Sequence, residues 1–424
     1  MATGATTMRA AGFDFGTSNS AIGIVKGNAA ALAAVESAAT MIPSAVFFDF
    51  VDHDKPHYGR DAIDAYVNGN DGHLMRGLKT ILSTSLISER TMLSKRAIAL
   101  TDVIAMFTRH LRLKAEDAVG APLDAVVHGR PVRFVEGDDA ADARAEATLA
   151  TLARQAGYTD VSFLYEPVAA AAQYEQSVTR EEIVLVADIG GGTSDFSIVR
   201  IGPGRDRASD RRDDILANTG VRVGGTDFDR NMSVATVMPM LGFGTELVEK
   251  QLPMPRSIFD DLAWWPTINL CYTPKVVREA EEIHRLAAEP QKTARLLTVL
   301  SKHLGHRIAF AVEEAKIELT AAETTQIALA FVESGLSAPA TRTAFNEAIA
   351  GEITRLRLAI WNCLALADVE ADRIDTIFMT GGSSLVPAVE AVVRDEIPNA
   401  AVKRGDDFLS VALGLTLEAQ VRYA

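Results

Sequence analysis

The stretch Ile183-Val184-Leu185-Val186-Ala187-Asp188-Ile189-Gly190-Gly191-Gly192-Thr193-Ser194-Asp195-Phe196-Ser197-Ile198-Val199 decides how the rest of the chain is read. Its run of β-branched and large aliphatic residues predicts a buried strand, a tight turn and a second strand. Three consecutive glycines extend neither a strand nor a helix well, since they bring no side chain to pack and a large backbone entropy to lose. They do let bare N–H groups approach an anion. A carboxylate before them, Asp188, and a hydroxyl after them, Thr193, suit a metal-bound phosphate.

The same grammar opens the chain at Gly12-Phe13-Asp14-Phe15-Gly16-Thr17-Ser18-Asn19-Ser20, followed by Ala21-Ile22-Gly23-Ile24-Val25. One such hairpin reads equally well as an ordinary turn between strands. Two of them in matching contexts, at Asp14 and Asp188, point to an internal duplication that clamps a polyphosphate from both sides. No Gly-x-x-x-x-Gly-Lys-Ser/Thr loop is present. Nor is this a dinucleotide fingerprint, because a strand follows the glycines where a helix should begin.

With 424 residues the chain is long enough for two or more domains. Hydrophobic residues at 48% and charged residues at 23% are the balance of a globular protein. A net charge of −14 argues against nucleic acid or an anionic membrane as the main partner. Only Cys271 and Cys363 occur, in no metal-like spacing, and the histidines form no His-Glu-x-x-His cluster. Neither a signal peptide nor a run of transmembrane length is evident, so the expected compartment is the cytoplasm.

In chain order, residues 30–35 and 45–50 are predicted as short strands and residues 59–112 as helical. Lys79, alone in the apolar Leu78-Lys79-Thr80-Ile81-Leu82, reads as a snorkelling surface residue or as a cleft cation. A strand ending near Pro131 precedes an Ala-rich helix capped by Asp138 and closed at Gly157. Glu166-Pro167 then opens a helix after the strand 161–164, which makes Glu166 at least a helix-terminus acid. Residues 203–217 are predicted as a surface loop. Val223-Gly224-Gly225-Thr226-Asp227-Phe228-Asp229 is another glycine turn before a helix. Residues 242–275, with Trp264 and Trp265, form an irregular insert, either a partner surface or a satellite core. Residues 276–320 and 344–366 are predicted helical. The strand 374–379 leads through Thr380-Gly381-Gly382-Ser383-Ser384 into a helix near Pro387, an arrangement suited to an anion or a ribose. The helix 410–422 closes the chain.

Together these segments, with Tyr165-Glu166-Pro167-Val168-Ala169-Ala170-Ala171, resemble the ATPase domain of the Hsp70 family within the actin-like ATPase superfamily. They stand in family order from residue 12 onward. The likeness is greatest to the short YegD-like branch, and extends to the segment with Pro253, Trp264 and Trp265 and to Gly405-Asp406-Asp407-Phe408.

The resemblance implies an α/β fold of two lobes, each a ribonuclease-H-like sheet with an added subdomain. The N-terminal lobe would be 1–178, with core 1–40 and 113–178 and accessory part 41–112. The C-terminal lobe would be 179–424, with core 179–228 and 344–424 and accessory part 229–343. ATP or ADP with Mg²⁺ would lie in the cleft. Asp14 and Asp188 would hold Mg²⁺, mostly through its waters. Gly16, Thr17, Ser18 and Asn19 would contact the phosphates from one side, and Gly190, Gly191, Gly192 and Thr193 from the other. Glu166 would orient or deprotonate the attacking water, Lys79 would polarise it, and Thr193 would help place it beside Asp188. Gly224, Gly225, Glu313, Lys316, Thr320, Gly381, Gly382 and Ser383 would form the nucleoside pocket. A protein partner or co-chaperone is also implied.

Two departures from the family pattern bear on function. Ile317 and Leu385 stand where relatives sandwich the base between arginines, and aliphatic groups cannot stack as a guanidinium does. No linker and β-sandwich substrate domain follows Ala424, so the expectation is an ATPase with slow hydrolysis rather than a complete chaperone cycle. The alternatives are a nucleotide-dependent binding module without hydrolysis, a small-molecule kinase and a filament-forming actin-like protein.

Overall fold

Two sheets with the same pairing pattern carry the chain in the computed structural model, which describes residues 8–27, 29–83, 85–135, 138–204, 211–248, 253–405 and 409–423. In the first sheet the strand order is Asp160–Tyr165, Ala125–Arg130, Ala10–Phe15, Asn19–Lys26, Ala29–Leu32. In the second it is Ala401–Arg404, Thr376–Thr380, Glu182–Ile189, Ser194–Ile201, Ile215–Val221. Each sheet joins a three-stranded antiparallel meander to two parallel strands. The duplication suggested by the two Asp-x-Gly turns is therefore visible in the pairing itself. Strands with both faces covered read as continuous apolar runs, as in Glu182–Ile189.

Local signals explain most element ends. Asp138 accepts a hydrogen bond from the Ala141 N–H at 2.8 Å and caps the helix Asp139–Ala156, which stops at Gly157 with φ 114°. The helix Glu166–Glu175 has Pro167 in its first turn.

Several stretches differ from the sequence reading. Residues 59–112 are helical only at Gly59–Val67 and Leu100–Val119, apart from short 3₁₀ turns. Between the two helices, Gly72–Arg76 joins Ala45–Asp49 and Lys55–Tyr58 in an antiparallel sheet. Gly69 and Gly77, both at positive φ, bracket that strand and break the helical period. Residues 215–217, expected in a loop, belong to the strand Ile215–Val221. Its polar side chains are satisfied: Thr219 donates to the Ala359 carbonyl at 2.9 Å and Asn218 to Ser197 Oγ at 2.8 Å. Residues 276–320 divide into Pro274–Leu286, Pro290–Ser301 and Gly305–Ala321, and residues 344–366 into Arg342–Ala348 and Ala350–Ala367. The hairpin Thr324–Ala328 with Ser337–Thr341 had too little alternating pattern to be seen. Within the insert, Ile258, Phe259, Leu262 and Ile268 join the main core of the second half rather than a satellite of their own. Residues 406–408 of the tail segment lie outside the described residues.

Each half has its own core, and a third core takes side chains from both, including Ala125, Val127, Val168, Val184, Val199 and Phe378. The last helix, Ser410–Arg422, crosses back onto the first half and lies on Ala10–Phe15 and Glu166–Glu175. Gly414 makes that crossing close, since a β-carbon there would sit 1.8 Å from the Ala169 carbonyl.

The halves also meet at a second place. Arg76 lies 4.3 Å over the ring of Trp265, whose ring meets His306 edge-on at 4.5 Å. Across the gap, the Tyr66 hydroxyl lies 3.3 Å from His306 Nδ1. No helix among the described residues is long and apolar enough to cross a membrane.

Candidate functional site

Asp14 lies near the end of its strand beside the first turn, and Asp188 lies near the end of its strand beside the second. Between the two sheets they share a space with Glu166, Asp195 and Lys79. Lys79 Nζ donates to Glu166 Oε1 at 2.6 Å, with both side chains largely buried. The surface reading of Lys79 therefore does not hold. The 3₁₀ turn Leu78–Ser83, anchored by fully buried Leu78, carries the lysine inward.

Charge is crowded here. Asp14 is pushed up to about 8, first by burial and then by Glu166, with Lys79 opposing. Asp195 is raised to about 7 by burial, then by Asp188 and Glu166. Asp188 is raised to about 6 by burial, then by Glu166. Burial alone would lower the Lys79 ammonium, but Glu166 and Asp14 hold it above its usual value. Asp195 was missed from sequence, although the hairpin carried the signal. Strand register pairs Asp188 with Asp195, so both carboxylates stand on one face.

Several buried carboxylates against one lysine are a poor arrangement alone and a good one around a hard cation. Among the described residues no three His, Cys, Asp or Glu side chains converge closely enough to enclose an ion directly. The donor chemistry fits Mg²⁺ held through its own waters, with Asp14 and Asp188 near the ends of the strands that lead into the two turns.

The turns themselves touch. A β-carbon on Gly191 would stand 2.2 Å from Ser18 Oγ. Gly16 turns tightly against the Asn19 carbonyl, and its own carbonyl accepts from Ser44 Oγ at 2.7 Å. Thr17 sits between Gly16 and Ser18 in that turn. In the second turn the Gly190 N–H donates to the Thr193 carbonyl at 2.9 Å. The Gly190 and Gly191 carbonyls are tied back by the N–H groups of Gly225 and Thr226, at the start of the helix Gly225–Thr236. Thr193 is exposed beside Gly192 and hydrogen-bonds Asp195. Gly224 rests on the Gly191–Gly192 peptide, where a β-carbon would come within 2.5 Å.

A third loop closes on this turn. Ser383 Oγ donates to the Gly190 carbonyl at 2.8 Å. Gly381 has φ 80°, and a β-carbon there would lie 2.6 Å from Asp188 Oδ1, so only glycine fits. Gly382 begins the 3₁₀ turn Gly382–Leu385. Lys316, on Gly305–Ala321, reaches Asp229 Oδ1 at 2.8 Å and the Gly225 carbonyl at 3.4 Å. The structure thus brings Lys316, Gly225 and Ser383 together, and Asp229 stands with them. Thr320 differs: its hydroxyl donates to the Ile317 carbonyl at 2.7 Å, within its own helix. Glu313 is exposed and acts electrostatically on Arg76 and Asp229. Ile317 is 57% exposed, and Leu385 is half-buried.

A family profile described as "Hsp70 protein" matches residues 49–238 and 282–424. The chain is similar to "Chaperone protein dnaK" of Guillardia theta, 26% identical over 278 residues, covering 63% of this chain and 35% of that protein. The chain thus spans about a third of the length of that curated relative.

Proposed function

The chain belongs to the Hsp70 family, and from that premise we propose that it binds Mg-ATP between its halves and hydrolyses it slowly. The observation that carries this reading is the meeting of Ser18 with Gly191, on the two turns that follow Asp14 and Asp188. Two glycine turns that meet beside buried acidic groups suit a metal-bound polyphosphate.

In this reading the lobes are 1–178 and 179–424. Hydroxyls and N–H groups of Thr17, Ser18 and Asn19 hold the phosphates from one lobe, and Gly190–Thr193 hold them from the other. Asp14 and Asp188 would hold Mg²⁺, which when bound would neutralise charge at the transferring phosphoryl group. Glu166 orients the attacking water and takes its proton, while Lys79 fixes the Glu166 carboxylate and presents positive charge toward the phosphate. Thr193 places the water. Phosphoryl transfer needs little more than such positioning and charge. The pocket of Gly224, Gly225, Glu313, Lys316, Thr320, Gly381, Gly382 and Ser383 takes the nucleoside. We further propose a chaperone-type role with a protein partner, in the cytoplasm, a reading that the family membership supports.

A second reading, a nucleotide-dependent switch without significant hydrolysis, is favoured by the exposure of Ile317 where a base should be covered. Single-turnover hydrolysis of Mg-ATP by the wild type and by Thr193→Ala separates the two. Turnover that collapses in the variant while binding persists supports the ATPase. Binding without turnover in either protein moves the assignment to the switch, and absence of binding sinks both.

A further inference from the structure

Glu166 opens the helix Glu166–Glu175, and the last residue of that helix is a second glutamate. Glu175 lies about 14 Å further along the axis, by the rise of an α-helix. Its side chain is only 2% exposed. Arg211 closes on it as a fork: Nη1 donates to Glu175 Oε2 at 2.7 Å and Nη2 to Glu175 Oε1 at 2.7 Å. The Gly202 N–H donates to Glu175 Oε1 at 3.2 Å, and Arg211 Nε donates to Asp214 Oδ2 at 2.8 Å.

These partners of Glu175 belong to the second sheet. Gly202 follows the strand Ser194–Ile201, and Arg211 and Asp214 lead into the strand Ile215–Val221. The strand Ser194–Ile201 begins at the second glycine turn, the helix begins at Glu166, and the two pack together. Both therefore run from the site to the ion pair, where they are tied. The middle of the helix is Ala169-Ala170-Ala171-Ala172, whose short side chains interlock shallowly with their neighbours. Such packing fixes position along the axis loosely, whereas a bidentate guanidinium–carboxylate pair sets an angle as well as a distance. A buried ion pair adds little net stability over apolar residues of the same volume, so geometry is what this one supplies. Arg211 holds φ 59°, a conformation that non-glycine residues keep where their surroundings impose it.

We propose that Arg211 is a positioning residue for hydrolysis: through Glu175 it sets where the helix holds Glu166 relative to the turn 190–193 on the second sheet. Lys79 sets the direction of the Glu166 carboxylate, and the ion pair at the far end sets the backbone that carries it. This inference rests on the ATPase reading of the same site.

The test combines single-turnover hydrolysis of Mg-ATP with calorimetry of Mg-ADP, on the wild type, on Arg211→Lys and on Glu175→Gln with Arg211→Met. Arg211→Lys keeps the charge and loses the fork. The double change removes the charged pair together and leaves the Gly202 N–H an acceptor. The double change is expected to slow turnover about 10- to 100-fold and to leave ADP affinity within about twofold, with Arg211→Lys between it and the wild type. In a Glu166→Gln background, where no carboxylate remains to be placed, the same changes are expected to slow the residual turnover no further. If the double change does not fold, Arg211→Lys alone decides. Unchanged turnover, an ADP affinity that falls as far as the rate, or losses that add to that of Glu166→Gln overturn the inference alone. A wild type that binds Mg-ATP without turnover overturns the ATPase reading, and this inference falls with it.

Discussion

Ser18 Oγ occupies the space, 2.2 Å away, into which a β-carbon on Gly191 would project, so the two hairpin turns meet with no side chain to separate them. Closure of the site thus depends on the one missing methyl group. Gly191→Ala is expected to cost about 1–3 kcal/mol of stability in the closed form. Nucleotide affinity measured by calorimetry should fall with it. Ser18→Gly in the same chain should recover much of the loss, whereas Ser18→Ala should recover less, because Ser18 Cβ is itself only 3.2 Å from the added carbon. A Gly191→Ala protein with wild-type affinity would show that the halves do not need to come this close.

Lys79 and Glu166 form one unit at 2.6 Å. Replacing Glu166 by Gln keeps the shape but removes the proton acceptor, and should slow hydrolysis by about 10²–10⁴-fold with binding retained. Lys79→Met should slow hydrolysis as well and also release Glu166 to reorient. Quenched-flow measurement of a single turnover distinguishes this from a binding defect. Equal rates in both variants and the wild type would remove the pair from the chemistry.

Asp14 is buried among carboxylates that repel it. Asp14→Asn is therefore expected to raise the melting temperature of the metal-free protein at pH 7, because burial makes Asp14 take up on folding a proton that the unfolded chain does not carry. The same change should abolish the extra stabilisation that Mg²⁺ gives in the presence of ADP. Melting curves with and without Mg²⁺ test both halves of this statement, and a destabilised metal-free Asp14→Asn protein would contradict it.

His128 and His306 are each lowered to about 4, chiefly by burial. In the unfolded chain both titrate near 6.5, so between these values the unfolded state binds more protons than the folded state. Their contribution to stability is complete above about pH 6.5 and is lost as pH falls toward 4. Urea denaturation at pH 7.5, 5.5 and 4.5 should show this loss, and His306→Phe should flatten part of the slope. An unchanged slope in that variant would mean that His306 does not stay neutral in the folded protein.

The fold was readable where the chain repeats a rule. The paired Asp-x-Gly turns, the cap at Asp138 and the stop at Gly157 each follow from local chemistry, and each stands where the sequence places it. What escaped was set by tertiary pairing. Gly72–Arg76 and Ile215–Val221 are ordered by neighbours distant in sequence, which supply partners for residues without a strong strand pattern of their own. In the site, Lys79 looked like a surface lysine because its partner Glu166 lies 87 positions away. Asp229 was passed over for the same reason, since Lys316 reaches it from another helix.

Trp265 has a guanidinium from the other half on its face and an imidazole at its edge. Both are groups that alter indole emission. The protein therefore carries a built-in optical gauge of the separation between its halves: any movement that withdraws Arg76 must change the light from Trp265, with no dye attached.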